Sequence, residues 1–158
     1  MSYKIKNKSL TRFAVVQAIY CIKSLQLSES DILNFFDEKN PEFLLSLDES
    51  IDERKIEKKL FSDIIKIQKD KKDLIEKLIH ENINKNWNTK RLPIILHSII
   101  IAAISEMILS PKLSIGIVAT EYLKITECFF IEGESAFVNA IIEKVHSILI
   151  SSKESING

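Results

Sequence analysis

The sequence predicts an all-α protein, and punctuation, periodicity and composition together predict it. Among 158 residues there are only three glycines and three prolines, and one of the glycines is the terminal Gly158. Turn-rich β architectures need many more residues suited to special backbone angles. Apolar residues recur at spacings of three and four along most of the chain, the period of a helix with a buried face. Apolar residues make up 46% and charged residues 28%, a balance that supports a packed core and argues against disorder.

The first helix is expected from Lys8 or Ser9 to Ser24. Its middle, residues 13–22, is apolar almost all round, so it should be buried on several sides. A short helix is expected over Glu29–Asp37, with Ser28 as N-cap and Asp31 three residues on in a capping-box arrangement. Residues 39–50 contain Asn40-Pro41 and read as an acidic loop with a turn of helix around Phe43. Ile56, Leu60, Phe61, Ile64 and Ile67 then mark an amphipathic helix, and Leu74, Ile75, Leu78, Ile79 and Ile83 repeat the pattern. Between them, residues 68–73 are either a short break or a solvated turn of continuous helix.

Trp87 lies in a polar connector, residues 82–90, expected to fold back onto the core. A central buried helix follows from Leu92 or Pro93 to Leu109, with Pro93 suited to its first turn and Pro111 to its end. It is too short and too interrupted to span a membrane. Ser114 caps the next helix, whose face is Ile115, Val118, Ala119, Tyr122, Ile125, Thr126 and Phe129, and Gly133 is expected to end it. Phe137, Val138, Ile141, Ile142, Val145, Ile148 and Leu149 define the last helix, before a polar tail, residues 151–158, expected to fray. The result is about seven helices in one domain over residues 1–158.

Formal charge is zero, 22 basic against 22 acidic residues, but it is unevenly placed. Residues 1–28 hold Lys4, Lys6, Lys8, Arg12 and Lys23 and no acid. Residues 29–57 hold ten acids against Lys39, Arg54 and Lys55. A neutral protein with one basic end, here a flexible arm over residues 1–7, can meet phosphate locally. Cys21 and Cys128 stand in apolar helical stretches, where buried free thiols are expected, and point to a reducing, cytoplasmic setting.

Catalytic chemistry finds little support. With so few glycines no phosphate loop can be written, and the three histidines, His80, His97 and His146, are far apart without metal-ligand spacing. Neither cysteine nor any serine stands in a nucleophile motif. No enzyme activity, metal or cofactor is expected. Glu106 stands out as an acid in the most apolar helix. Buried alone it would cost several kcal/mol, so it must face outward or find a hydrogen-bonding partner.

Three blocks carry a family resemblance. RFAVVQAIY (residues 12–20) resembles the first-helix signature of the NusB family, an Arg and Ala followed by Gln-Ala-Leu-Tyr. IIIAAISE (residues 99–106) is similar to its ILR-x-A-x-YEL helix, and EYLKITECFFIEGESAFVN (residues 121–139) to its Asn-Glu helix and Phe-Val-Asn motif. The resemblance implies a compact, two-lobed, NusB-like bundle. It also implies a transcription antitermination factor that binds boxA-type single-stranded nascent RNA with the NusE ribosomal protein. That pair joins other Nus factors on RNA polymerase in ribosomal RNA operons, and some relatives form homodimers.

The RNA-binding residues so implied are Lys4, Lys6, Lys8 and Arg12 for phosphates, and Tyr20, Phe137 and Asn139 for bases. Core packing accounts for Tyr20 and Phe137 as well as RNA contact does, and Asn139 also suits a structural role at a helix start. Departures from the family pattern are Ile101 for Arg, Ser105 for Tyr, Thr120 for Asn, Ala140 for Gly and a thinned basic run before Arg12. They imply weaker or altered RNA binding. The alternatives are a helical protein-interaction module, or an accessory domain for an RNA methyltransferase.

Overall fold

The computed structural model describes residues 7–37, 56–83 and 92–157. Among them are seven helices: α1 (Asn7–Leu25), α2 (Glu29–Asp37), α3 (Lys58–Asp70), α4 (Lys72–Asn82), α5 (Ile94–Leu109), α6 (Ile115–Phe129) and α7 (Glu134–Asn157). The all-α bundle read from periodicity is the fold observed. The expected loop at 39–50, the Trp87 connector, Lys4 and Lys6 lie outside the described residues.

α5 organises the core because it is apolar on every side. Its residues 99–107 are all buried, and it packs against α1, α3, α4, α6 and α7. The hydroxyls of Ser98 and Ser105 do not need partners elsewhere, since they donate to the carbonyls of Ile94 and Ile101, each at 2.7 Å. α1, α2 and α3 pack on one another, α6 packs on α7, α5 packs on both groups, and α1 also meets α6 directly.

Several boundaries have local causes. The Ser28 hydroxyl accepts from the Asp31 backbone N–H at 3.1 Å, and the Asp31 carboxylate accepts from the Ser28 N–H at 3.1 Å. Those bonds hold the Asp31 carboxyl below its ordinary range. α1 ends at Gln26, which takes the left-handed conformation (φ 55°) usually left to Gly or Asn. The charged stretch between α3 and α4 is a break of one residue. Lys71 leaves helical geometry (φ −108°, ψ 22°), yet its N–H still bonds Ile67 O and its carbonyl still receives Ile75 N–H.

Two boundaries fall elsewhere than the sequence pattern places them. Gly133 (φ +71°) does not end α6, which stops at Phe129; it precedes α7 and accepts the Phe137 N–H at 3.1 Å. Residues 151–157 do not leave the last helix. No Gly or Pro interrupts them before Gly158, and α7 runs on to Asn157.

Candidate nucleic-acid interface

α1 carries most of the candidate site, and its register decides which side chains reach solvent. Leu10, Ala14, Val15, Ala18, Ile19 and Ile22 turn inward. Ser9, Phe13, Gln17 and Tyr20, at helical spacing, form the partly solvent-facing stripe. Lys8 is exposed in the first turn, and Tyr20 is 37% exposed. Phe137 and Asn139 lie half-buried in the first two turns of α7, where the Asn139 amide donates to Glu143 at 3.3 Å.

Arg12 lies elsewhere. It is 4% exposed, on the inner side of α1. Its Nε donates to Glu106 Oε1 at 2.8 Å and Oε2 at 3.1 Å, and Nη2 donates to Oε2 at 2.8 Å. The Tyr122 hydroxyl donates to Glu106 Oε1 at 2.7 Å. Nη1 of Arg12 is 3.9 Å from Glu121, whose carboxylate also accepts from the Ser9 hydroxyl at 2.7 Å. Glu106 is thus a buried carboxylate with donors on both oxygens, the second of the two outcomes open to it. The Arg12 guanidinium, expected to meet phosphate, is in this structure paired within the protein, where it joins α1, α5 and α6.

The electrostatics follow from burial and pairing. Burial alone would lower the proton affinity of Arg12, but the hydrogen bonds and charge of Glu106 outweigh it and raise the pKa. Burial, reinforced by the Glu106 charge, holds the Tyr122 phenol well above its ordinary 10.0. Tyr122 is therefore a neutral donor at any physiological pH.

Sequence reasoning marked Glu106 as needing a partner but not which one. The available signal was that Arg12 and Glu106 are each a lone charge flanked by apolar residues in a buried helix. It also missed a ring pair. Phe13 of α1 and Phe129, the last residue of α6, stack with centroids 6.0 Å apart and planes 7° from parallel. Cys21 is half-buried, and its desolvated thiol is pushed up in pKa. Cys128, expected inside, is exposed in the last turn of α6.

The family model described as NusB family matches residues 9–147, a span that includes every helix of this arrangement except the first two residues of α1 and the last turns of α7. The chain belongs to the NusB family. Among its relatives, the transcription antitermination protein NusB of Novosphingobium aromaticivorans is 27% identical over 140 residues, covering 89% of this chain and 93% of the relative. The protein of that name from Rickettsia felis is 29% identical over 158 residues, covering 91% and 94%. The solved structure of T. maritima NusB superposes with a TM-score of 0.65 at 20% identity, covering 92% of this chain and 93% of that one. That likeness shows the fold. The NusB match contains Arg12, Tyr20, Phe137 and Asn139, while Lys4, Lys6 and Lys8 precede it.

Among the described residues no group of three or more His, Cys, Asp or Glu side chains is placed to hold a metal ion. No helix there is long and apolar enough to cross a membrane.

Proposed function

We propose that this chain is a transcription antitermination factor that binds boxA-type nascent RNA together with the NusE ribosomal protein. The pair acts with other Nus factors on RNA polymerase, in the cytoplasm, to keep ribosomal RNA transcription processive. The observation that carries the reading is the NusB family match over residues 9–147, joined to relatives named transcription antitermination proteins across nine-tenths of both lengths. Those relatives bear the name of a factor and not of an enzyme, and the proposal contains no catalytic step.

In this reading Lys4, Lys6 and Lys8 meet phosphates, which positions a strand without specifying it. Tyr20 and Phe137 offer ring faces to unstacked bases, and Asn139 offers an amide to their edges. Arg12 is a positioning residue. Its pair with Glu106 fixes how α1 lies on α5 and α6, and so where Lys8 and Tyr20 project.

The test is co-binding. Fluorescence anisotropy with a boxA-like single-stranded RNA, with and without purified NusE protein, should show binding tightened by NusE and weakened by salt. A stable complex with NusE that ignores RNA would make the chain a protein-interaction module. No association with either would remove the proposal.

A further inference from the structure

We infer that Phe13 and Phe129 form a base-stacking platform for single-stranded RNA, with Gln17 placed to read the edge of a base lying between that platform and Tyr20. The inference rests on the RNA-binding reading above and adds residues that the family resemblance did not assign.

Three observations lead to it. Phe129 is a large apolar ring left 40% exposed, and Phe13, half-buried, lies parallel to it. At a centroid separation of 6.0 Å the stack is offset, so neither ring fully covers the face of the other. Phe13, Gln17 and Tyr20 follow at i, i+4 and i+7, on one face of α1, with Gln17 half-buried and Tyr20 exposed. Seven residues of helix span about 10 Å, close to three nucleotide steps of about 3.4 Å.

The chemistry of this stripe suits a nucleobase. Aromatic rings accept any base by stacking, because every base has a π face, while an amide discriminates by pairing donors and acceptors on the base edge. Rings flanking an amide therefore combine tolerant affinity with selection at one position. Exposed cations stand on both helices. Lys8 is exposed at the start of α1, and Lys124 is exposed on α6 one turn after Glu121 and one turn before Cys128. α6 leads from Phe129 through residues 130–133 into α7, whose first turn bears Phe137. A strand stacked on Phe13 and Phe129 lies beside the start of the Phe-Val-Asn segment.

The experiment uses the full chain and short boxA-like single-stranded RNAs with 2-aminopurine substituted at each position in turn. Phe13→Leu and Phe129→Leu keep bulk and remove the ring, Phe13→Trp keeps a ring, and thermal melts report whether each variant folds. The expected result is quenching at one or two positions by the wild type. Either Leu variant should bind about tenfold more weakly and lose that quenching. Phe13→Trp should retain both, and Gln17→Leu should flatten preference among the four bases at the quenched position. Folded Leu variants that bind and quench like the wild type would overturn the inference while leaving RNA binding intact, and would return the rings to a protein contact. A wild type that binds no RNA overturns the inference together with the function it rests on.

Discussion

A guanidinium taken out of water is tolerable only while its counter-charge stays with it, and Arg12 holds Glu106 through two nitrogens. Removing Arg12 leaves Glu106 a buried charge without its counter-charge, and removing Glu106 leaves Arg12 only the longer contact with Glu121. Arg12→Ala and Glu106→Ala should each lower stability by about 3–5 kcal/mol in urea unfolding, and the double variant should lose less than the sum. At conditions where Arg12→Ala remains folded, its RNA affinity should fall with salt as steeply as that of the wild type, because no phosphate contact is lost. A stable Arg12→Ala protein with a shallower salt dependence would show that the guanidinium reaches RNA after all. Tyr122 adds a pH signature. Its folded pKa is raised by burial and by Glu106, so its contribution is complete below the ordinary phenol value of 10.0. Above that value the unfolded phenol ionises while the buried one does not, and stability falls as pH rises. Tyr122→Phe should cost about 1 kcal/mol at neutral pH and blunt that alkaline decline in thermal melts.

Between helices, the corresponding device is Glu76 on α4, whose carboxylate lies 3.1 Å from His97 Nε2 on α5 and 3.6 Å from Lys23 Nζ near the end of α1. Burial would raise the Glu76 pKa, but His97 and Lys23 outweigh it and lower it. A carboxylate with a depressed folded pKa stabilises the fold above its unfolded value, ordinarily 4.5, and loses that contribution as pH falls through the folded value. Glu76→Gln should therefore lessen the loss of melting temperature on acidification below about pH 4.5. The change should be small, since the group is partly solvated. An acid limb identical to that of the wild type would remove Glu76 from this role. Ser28→Ala removes the hydroxyl half of the reciprocal pair at the start of α2, leaving the backbone N–H bond to Asp31, and should cost about 1 kcal/mol. This cap was legible in the sequence because Ser and Asp three residues apart carry both donors and both acceptors locally. The break at Lys71 was not legible. Neither Gly nor Pro marks it, and the helical hydrogen bonds on either side persist through it.

At the level of the whole molecule, the fold was legible because the apolar period and the scarcity of turn residues act on every helix at once. The site was only partly so. Helical spacing left Tyr20 open between core packing and RNA contact, and it could not distinguish a basic residue that meets solvent from one that turns inward. Lys8 and Arg12, four residues apart in one basic run, have opposite fates, and the pairing of Arg12 with Glu106 crosses 94 positions of sequence. This difference sets the last prediction. A chain with no net charge draws RNA only where its cations are grouped, so the salt dependence of binding should correspond to a few phosphates. For single strands each phosphate contact contributes roughly 0.7 to the slope of log affinity against log salt. Lys8→Ala should reduce the slope by about that amount while leaving the melting temperature unchanged. Lys72→Ala, which removes another exposed lysine, from the start of α4, should leave the slope as it is. The comparison separates a directed interface from diffuse attraction, because both variants change total charge equally. Equal reductions by the two variants would mean that RNA meets the body of the protein without a preferred face, and the assignment of α1 as its docking helix would fall.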